Sequence, residues 1–218
     1  MKWLRYYLDS TIGLKVLVGL TGLLLCGFLV THLAGNLLLY KSAEDYNHYA
    51  DALHANPLLP FAEVGLFAAF IMHIALTILL VVRTRRARPA GYAALRSKQG
   101  KPWFSPSKTM AISGIVVLAF LALHLIDFRF GVRLPGPAGE DEFGRTLRIL
   151  QHPVTLVAYT IGSLLVGYHV NHGFQSAFQS LGANHPKFSP LIKRAGLIFS
   201  VVVALGFASF PIWANVIK

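Results

Sequence analysis

The chain has 218 residues, 55% of them hydrophobic and only 13% charged, with a mean hydropathy of +0.56. That is too apolar for a soluble domain of this size, since five buried core helices in one short chain would leave no polar exterior. The formal charge of +11 is concentrated in particular loops, a distribution that sets membrane topology and does not call for nucleic acid.

Met1-Lys2-Trp3-Leu4-Arg5 is basic, but the apolar run after it is long and holds no clean small-residue cleavage site, so the first span is expected to stay in the protein. Stretches long enough for the roughly 20 residues that cross a bilayer lie near 14–39, 58–82, 109–129, 153–178 and 191–214. Asn171, His172, Gln175 and Gln179 dilute the second half of the fourth. Residues 41–57 place Tyr46, Tyr49, Ala50 and Leu53 at the spacing of a short amphipathic helix, ended by Asn56-Pro57. In 130–152 a run of Gly131, Pro135, Gly136, Pro137 and Gly139 leads into Phe143, Leu147 and Leu150, again at helical spacing. The expected fold is therefore all-α: one integral membrane domain over 1–218, a bundle of five transmembrane helices with short interfacial helices in the outer loops and no visible internal repeat. Fourteen of the 20 Lys and Arg residues fall on the side of the amino terminus, eight of them between Arg83 and Lys108. The positive-inside rule puts that side in the cytoplasm and the carboxyl terminus outside. Cys26 is the only cysteine, which excludes an intrachain disulfide, a thiolate cluster and covalent haem attachment.

Four of the five spans carry a histidine deep inside them: His32, His73, His124 and His169. An ionisable side chain in the bilayer is costly and needs a partner. With about 1.5 Å of rise per residue, His32 and His124 lie roughly 8 Å to the outer side of the midplane, and His73 and His169 roughly 5 Å to the inner side. Two pairs at two depths is what two stacked haems with two axial imidazoles each would require. A histidine-lined zinc or proton transporter would also want intramembrane carboxylates, and the candidates, Glu63 and Asp127, sit near the outer ends of their spans. A bundle carrying two histidines per helix 13–14 residues apart is not supported, because no helix has that spacing.

The chain resembles the membrane cytochrome b subunit of succinate:quinone oxidoreductases (succinate dehydrogenase and fumarate reductase) of the single-subunit, five-helix, di-haem type. The resemblance covers nearly the whole length. Its most specific pieces are Ser10 to Lys15, Thr21-Gly22 and His32 to Asn36 in the first span, and His169 to Ser176 in the fourth. Tyr46 to Tyr49 and His54 to Pro57 are similar to the family as well.

The resemblance implies an anchor in the cell's inner membrane that binds two b haems and a quinone, menaquinone in preference to ubiquinone. An FAD-containing flavoprotein and an iron-sulfur protein would dock on its cytoplasmic face. Electrons from succinate would pass through the iron-sulfur clusters, the inner haem and the outer haem to the quinone, or run in reverse. His73 and His169 are expected to ligate the inner haem iron, and His32 and His124 the outer. His172 is the rival to His169; the family motif sets the ligand four residues before the glycine, which selects His169 before Gly173. His54, where the family often has a glutamate, and then Glu63 are the expected proton-transfer groups for the quinone. The basic segment from Arg83 to Lys108 is expected to meet the iron-sulfur subunit and the inner haem propionates. The alternatives are a di-haem cytochrome b anchoring another dehydrogenase, such as a hydrogenase or formate dehydrogenase, and a haem-free transporter.

Overall fold

The structure, a computed structural model, describes residues 9–87 and 106–217. Among them are seven α-helices and no strand. Helix α1 (Thr11–Asn36) continues into a 3-10 turn over Leu37–Tyr40, and α2 (Ala43–His54) lies across the end of the bundle that also carries the short helix Glu142–Leu150, the end expected to be the outer one. Then come α3 (Leu59–Arg86), α4 (Pro106–His124) with a widened π segment at Leu125–Arg129, α5 (Glu142–Leu150), α6 (Pro153–Ser180) and α7 (Ser189–Val216).

Local chemistry sets these boundaries. The Ser10 hydroxyl accepts the Gly13 amide at 3.0 Å and caps α1, and Ser42 and Asp141 do the same for α2 and α5. Pro60, Pro153 and Pro190 sit in the first turns of α3, α6 and α7, where a missing N–H costs nothing. The polar second half of α6 does not interrupt the helix. Gln175 donates to the Asn171 side chain at 3.1 Å and His172 Nδ1 donates to the Tyr168 carbonyl at 3.1 Å, so these groups are satisfied within the helix itself.

The five long helices are each long and apolar enough to cross a membrane, and they alternate in direction. At one end the Arg83 guanidinium donates to the Asp9 carbonyl, and the Tyr168 hydroxyl donates to Thr109 at 3.1 Å. At the other end Gln151 donates to the Ala214 carbonyl and Asn215 to the Leu150 carbonyl, both at 3.0 Å. Large apolar side chains such as Leu20, Leu24, Ile71, Ile115, Leu164 and Leu205 face outward along the helix middles, as lipid-facing positions must. The chain is a multi-pass membrane protein.

Helix α1 packs on α3 and α6, α4 packs on α6, and α7 lies along α6. The last contact is close because Gly167 has no side chain: a Cβ there would sit 2.8 Å from the Ser200 carbonyl. The buried core, built on Leu33, Leu39, Leu150, Tyr159, Phe210 and Ala214, lies towards the outer end. Over it the two short helices are tied together. Asn47 of α2 donates to Asp141 at 2.6 Å and accepts the Phe143 amide at 2.9 Å, while the Tyr46 and Thr146 hydroxyls meet at 3.2 Å. Gly35 admits this lid, since a Cβ on it would lie 2.6 Å from the Tyr49 ring.

A repeated plan emerges that the sequence reading did not anticipate. Helices α1, α2 and α3 form a span, a short helix across one end of the bundle and a returning span, and α4, α5 and α6 do so again. Thr21-Gly22 precedes His32 by the same interval at which Ser113-Gly114 precedes His124. The interval is 11 residues, close to three full turns, so hydroxyl and imidazole share one helix face.

Candidate functional site

Four imidazoles line the space between α1, α3, α4 and α6. All four are half-buried. Helices α1 and α4 bring His32 and His124 face to edge, with ring centroids 5.9 Å apart and planes at 81°. Aromatic rings hold this outer pair there: Phe28 stacks on His32 at 5.2 Å and Phe207 of α7 lies at 5.4 Å, while Phe128 and Tyr159 flank His124 at 5.2 and 5.9 Å.

The inner pair is held by hydrogen bonds instead. His73 Nδ1 lies 3.0 Å from Thr21 Oγ1 of α1, and His169 Nδ1 lies 3.0 Å from Ser113 Oγ of α4. His172, by contrast, points its Nδ1 at its own helix and packs against Tyr168 at 4.8 Å. Of the two histidines in this stretch, His169 is the one turned towards the neighbouring helix.

Beside the outer pair lies a buried ionic lock. Asp127, on the π segment, is completely buried and takes both arms of the Arg133 guanidinium at 2.6 Å. It also accepts the Tyr159 hydroxyl at 2.9 Å, and Arg133 donates to Thr155 at 2.6 Å. The hydrogen bond to Asp127 holds the Arg133 guanidinium even above its ordinary range. With every oxygen of Asp127 engaged, this carboxylate is a structural tie between α4 and α6, not an open ion-binding position.

His54 ends α2 and is exposed. Glu63, in the second turn of α3, is ion-paired with Arg129 at 3.1 Å, joining α3 to the π segment. Both sit at the outer end. Of the basic segment expected to meet a partner, Arg83, Arg85 and Arg86 close α3, whereas residues 88–105 lie outside the described residues.

Among the described residues no group of three or more His, Cys, Asp or Glu side chains converges on one point. Zinc sites take three or four such ligands. Imidazoles in pairs are a donor set that would suit haem iron, which needs only two from the protein. The sequence reading missed Thr21 and Ser113 as partners of the inner histidines, and it missed the tie from Asp127 through Arg133 to Thr155 and Tyr159. The 11-residue hydroxyl-to-histidine interval was the available signal for the first; for the second there was none, because it depends on how the loop after the π segment folds back.

No protein-family description, no characterised protein and no solved structure matches this chain.

Proposed function

We propose that this protein is the cytochrome b membrane anchor of a succinate dehydrogenase or fumarate reductase, holding two b haems and a membrane quinone, most suitably menaquinone. The observation that carries the reading is the approach of His32 and His124, ring centroids 5.9 Å apart on two separate helices, with His73 and His169 each tied by a hydrogen bond to a neighbouring helix. When bound, the haems would supply one-electron transfer between an iron-sulfur partner and the quinone.

The chain's own residues divide the remaining work. The four spans fix the imidazoles, Phe28, Phe207, Phe128 and Tyr159 dry the outer pair, and the lid of α2 on α5 closes the outer end. Quinone chemistry takes up or releases protons, so its site needs a titratable group near water beside apolar walls. His54 and Glu63, at the outer membrane edge, have that placement. The amino terminus and the basic loops would face the cytoplasm, where an FAD-containing flavoprotein and an iron-sulfur protein would dock.

A reduced-minus-oxidised spectrum of the purified chain tests this directly: two b-type haems per chain are expected, and none would overturn it. His169→Ala should remove the inner haem while His172→Ala retains both. Mild extraction then separates partners: co-purification of a hydrogenase or formate dehydrogenase in place of the succinate enzymes would replace this reading by its nearest rival.

A further inference from the structure

Thr21 and Ser113 are buried polar residues inside membrane spans, at 5% and 6% exposure, and each serves one histidine of the inner pair. Their hydroxyl hydrogens are already committed. Thr21 donates to the Leu17 and Val18 carbonyls at 2.9 and 3.1 Å, and Ser113 donates to the Met110 carbonyl at 3.1 Å. A hydroxyl has one hydrogen and two lone pairs, so each oxygen is left to accept from the imidazole. With the hydroxyl hydrogens so placed, the ring nitrogen each oxygen faces is the one that carries the proton, an Nδ1–H tautomer with the Nε2 lone pair turned away; for His73 the Val18 carbonyl is a further acceptor on the same helix as Thr21.

The following glycine completes each support. A Cβ on Gly22 would lie 3.3 Å from His73 Cε1, tighter than ordinary contact, and one on Gly114 would touch His169 Cε1 at 3.5 Å. The ring edges therefore rest on bare helix backbone. Among the described residues the outer pair is served differently: His32 Nδ1 is met at 3.5 Å by the Asn36 amide nitrogen of its own helix, a donor and not an acceptor, which also donates to the His32 carbonyl at 2.7 Å. His124 lies against the rings of His32, Phe120, Phe128 and Tyr159.

We propose that Thr21 and Ser113 are positioning residues that lock the tautomer of His73 and His169 and raise the electron-donating strength of the inner ligand pair relative to the outer. This rests on the di-haem reading above. An acceptor on Nδ1–H makes Nε2 more basic, which favours the more positively charged, oxidised iron. Removing either acceptor should therefore move the midpoint potential of the inner haem in the positive direction and leave the outer haem where it was. Losing such a partner typically weakens metal binding by about 10–100-fold, so some loss of inner haem is also expected.

The experiment is a redox titration of both haem bands, with haem content, in the full chain carrying Thr21→Val, Ser113→Ala or both, against Thr21→Ser and Ser113→Thr. A positive shift confined to the inner haem, reversed in the conservative variants, supports the proposal; so does inner haem lost in Thr21→Val and regained in Thr21→Ser. An unmoved inner midpoint at full haem content overturns it, as does equal loss of haem from the valine and serine variants. Should the wild-type chain bind no haem, the proposed function fails, yet the tautomer lock is still decided by 15N-histidine resonances. His73 and His169 should show protonated Nδ1 in wild type and lose that preference in Thr21→Val and Ser113→Ala. A mixture of tautomers in wild type would overturn the lock on its own.

Discussion

The imidazoles of His32 and His124 face one another across the outer half of the bundle, ring centroids 5.9 Å apart and planes nearly perpendicular. The two helices that carry them, α1 and α4, run in the same direction, and each packs on α6. On the proposed di-haem function, His32→Ala and His124→Ala should each remove one of the two haems, the same one, and leave the other half of the haem absorbance. A pyridine haemochrome assay with redox titration reads this; if the two variants lose different haems, the pairing is wrong.

Asp127 is the most tightly held carboxylate in the described structure. Removing one partner of a buried ion pair strands the other charge and costs about 3–5 kcal/mol. Asp127→Asn is therefore expected to lower the thermal unfolding temperature in detergent sharply, while Thr155→Val, which removes a single hydrogen bond, should cost about 1 kcal/mol. Replacing Asp127 and Arg133 together by Leu and Met should recover most of the loss. Equal destabilisation in the single and double variants would show that the tie is not the source.

The outer-face lid carries a pH dependence. The Arg148 guanidinium holds the Glu140 carboxyl below the usual carboxylate range, and Lys41 followed by Ser42 does the same for Asp45. A depressed folded pKa contributes stability that is fully present above the unfolded value of about 4 and is lost as pH falls through the folded pKa. Amide hydrogen exchange in residues 142–150 should stay constant from about pH 7 to 5, once corrected for intrinsic rates, and accelerate relative to α6 below about pH 4. Protection unchanged at low pH would mean that the lid rests on Tyr46, Phe143 and their apolar neighbours alone.

His54 and Glu63 separate cleanly in experiment because their surroundings differ. His54 is exposed and its removal should leave the fold intact. The Glu63–Arg129 pair is half-exposed, a type worth about 0–1 kcal/mol, so Glu63→Gln should be equally benign structurally. If His54 moves the quinone's protons, His54→Leu retains both haem bands and artificial-dye reduction but loses quinone-dependent turnover several-fold. Unchanged turnover would remove His54, and loss confined to Glu63→Gln would transfer the role.

The sequence by itself determined the class of fold, the five spans and the four intramembrane histidines, because bilayer thickness leaves only long apolar helices and makes each buried imidazole conspicuous. The spans it indicated agree with the helices to within a few residues: 58–82 against Leu59–Arg86, and 153–178 against Pro153–Ser180. The amphipathic spacing around Tyr46 and Phe143 likewise foretold α2 and α5. Only the tertiary structure decided which hydroxyl meets which imidazole, since Thr21 and His73 lie on different helices and their approach depends on how α1 leans against α3. It also decided the fate of the charged groups at the outer end. Asp127, Arg133, Tyr159 and Thr155 have no common period in the chain. They meet because a buried carboxylate in a medium of low dielectric must be answered by donors, and the loop after the π segment is what carries Arg133 back to supply them.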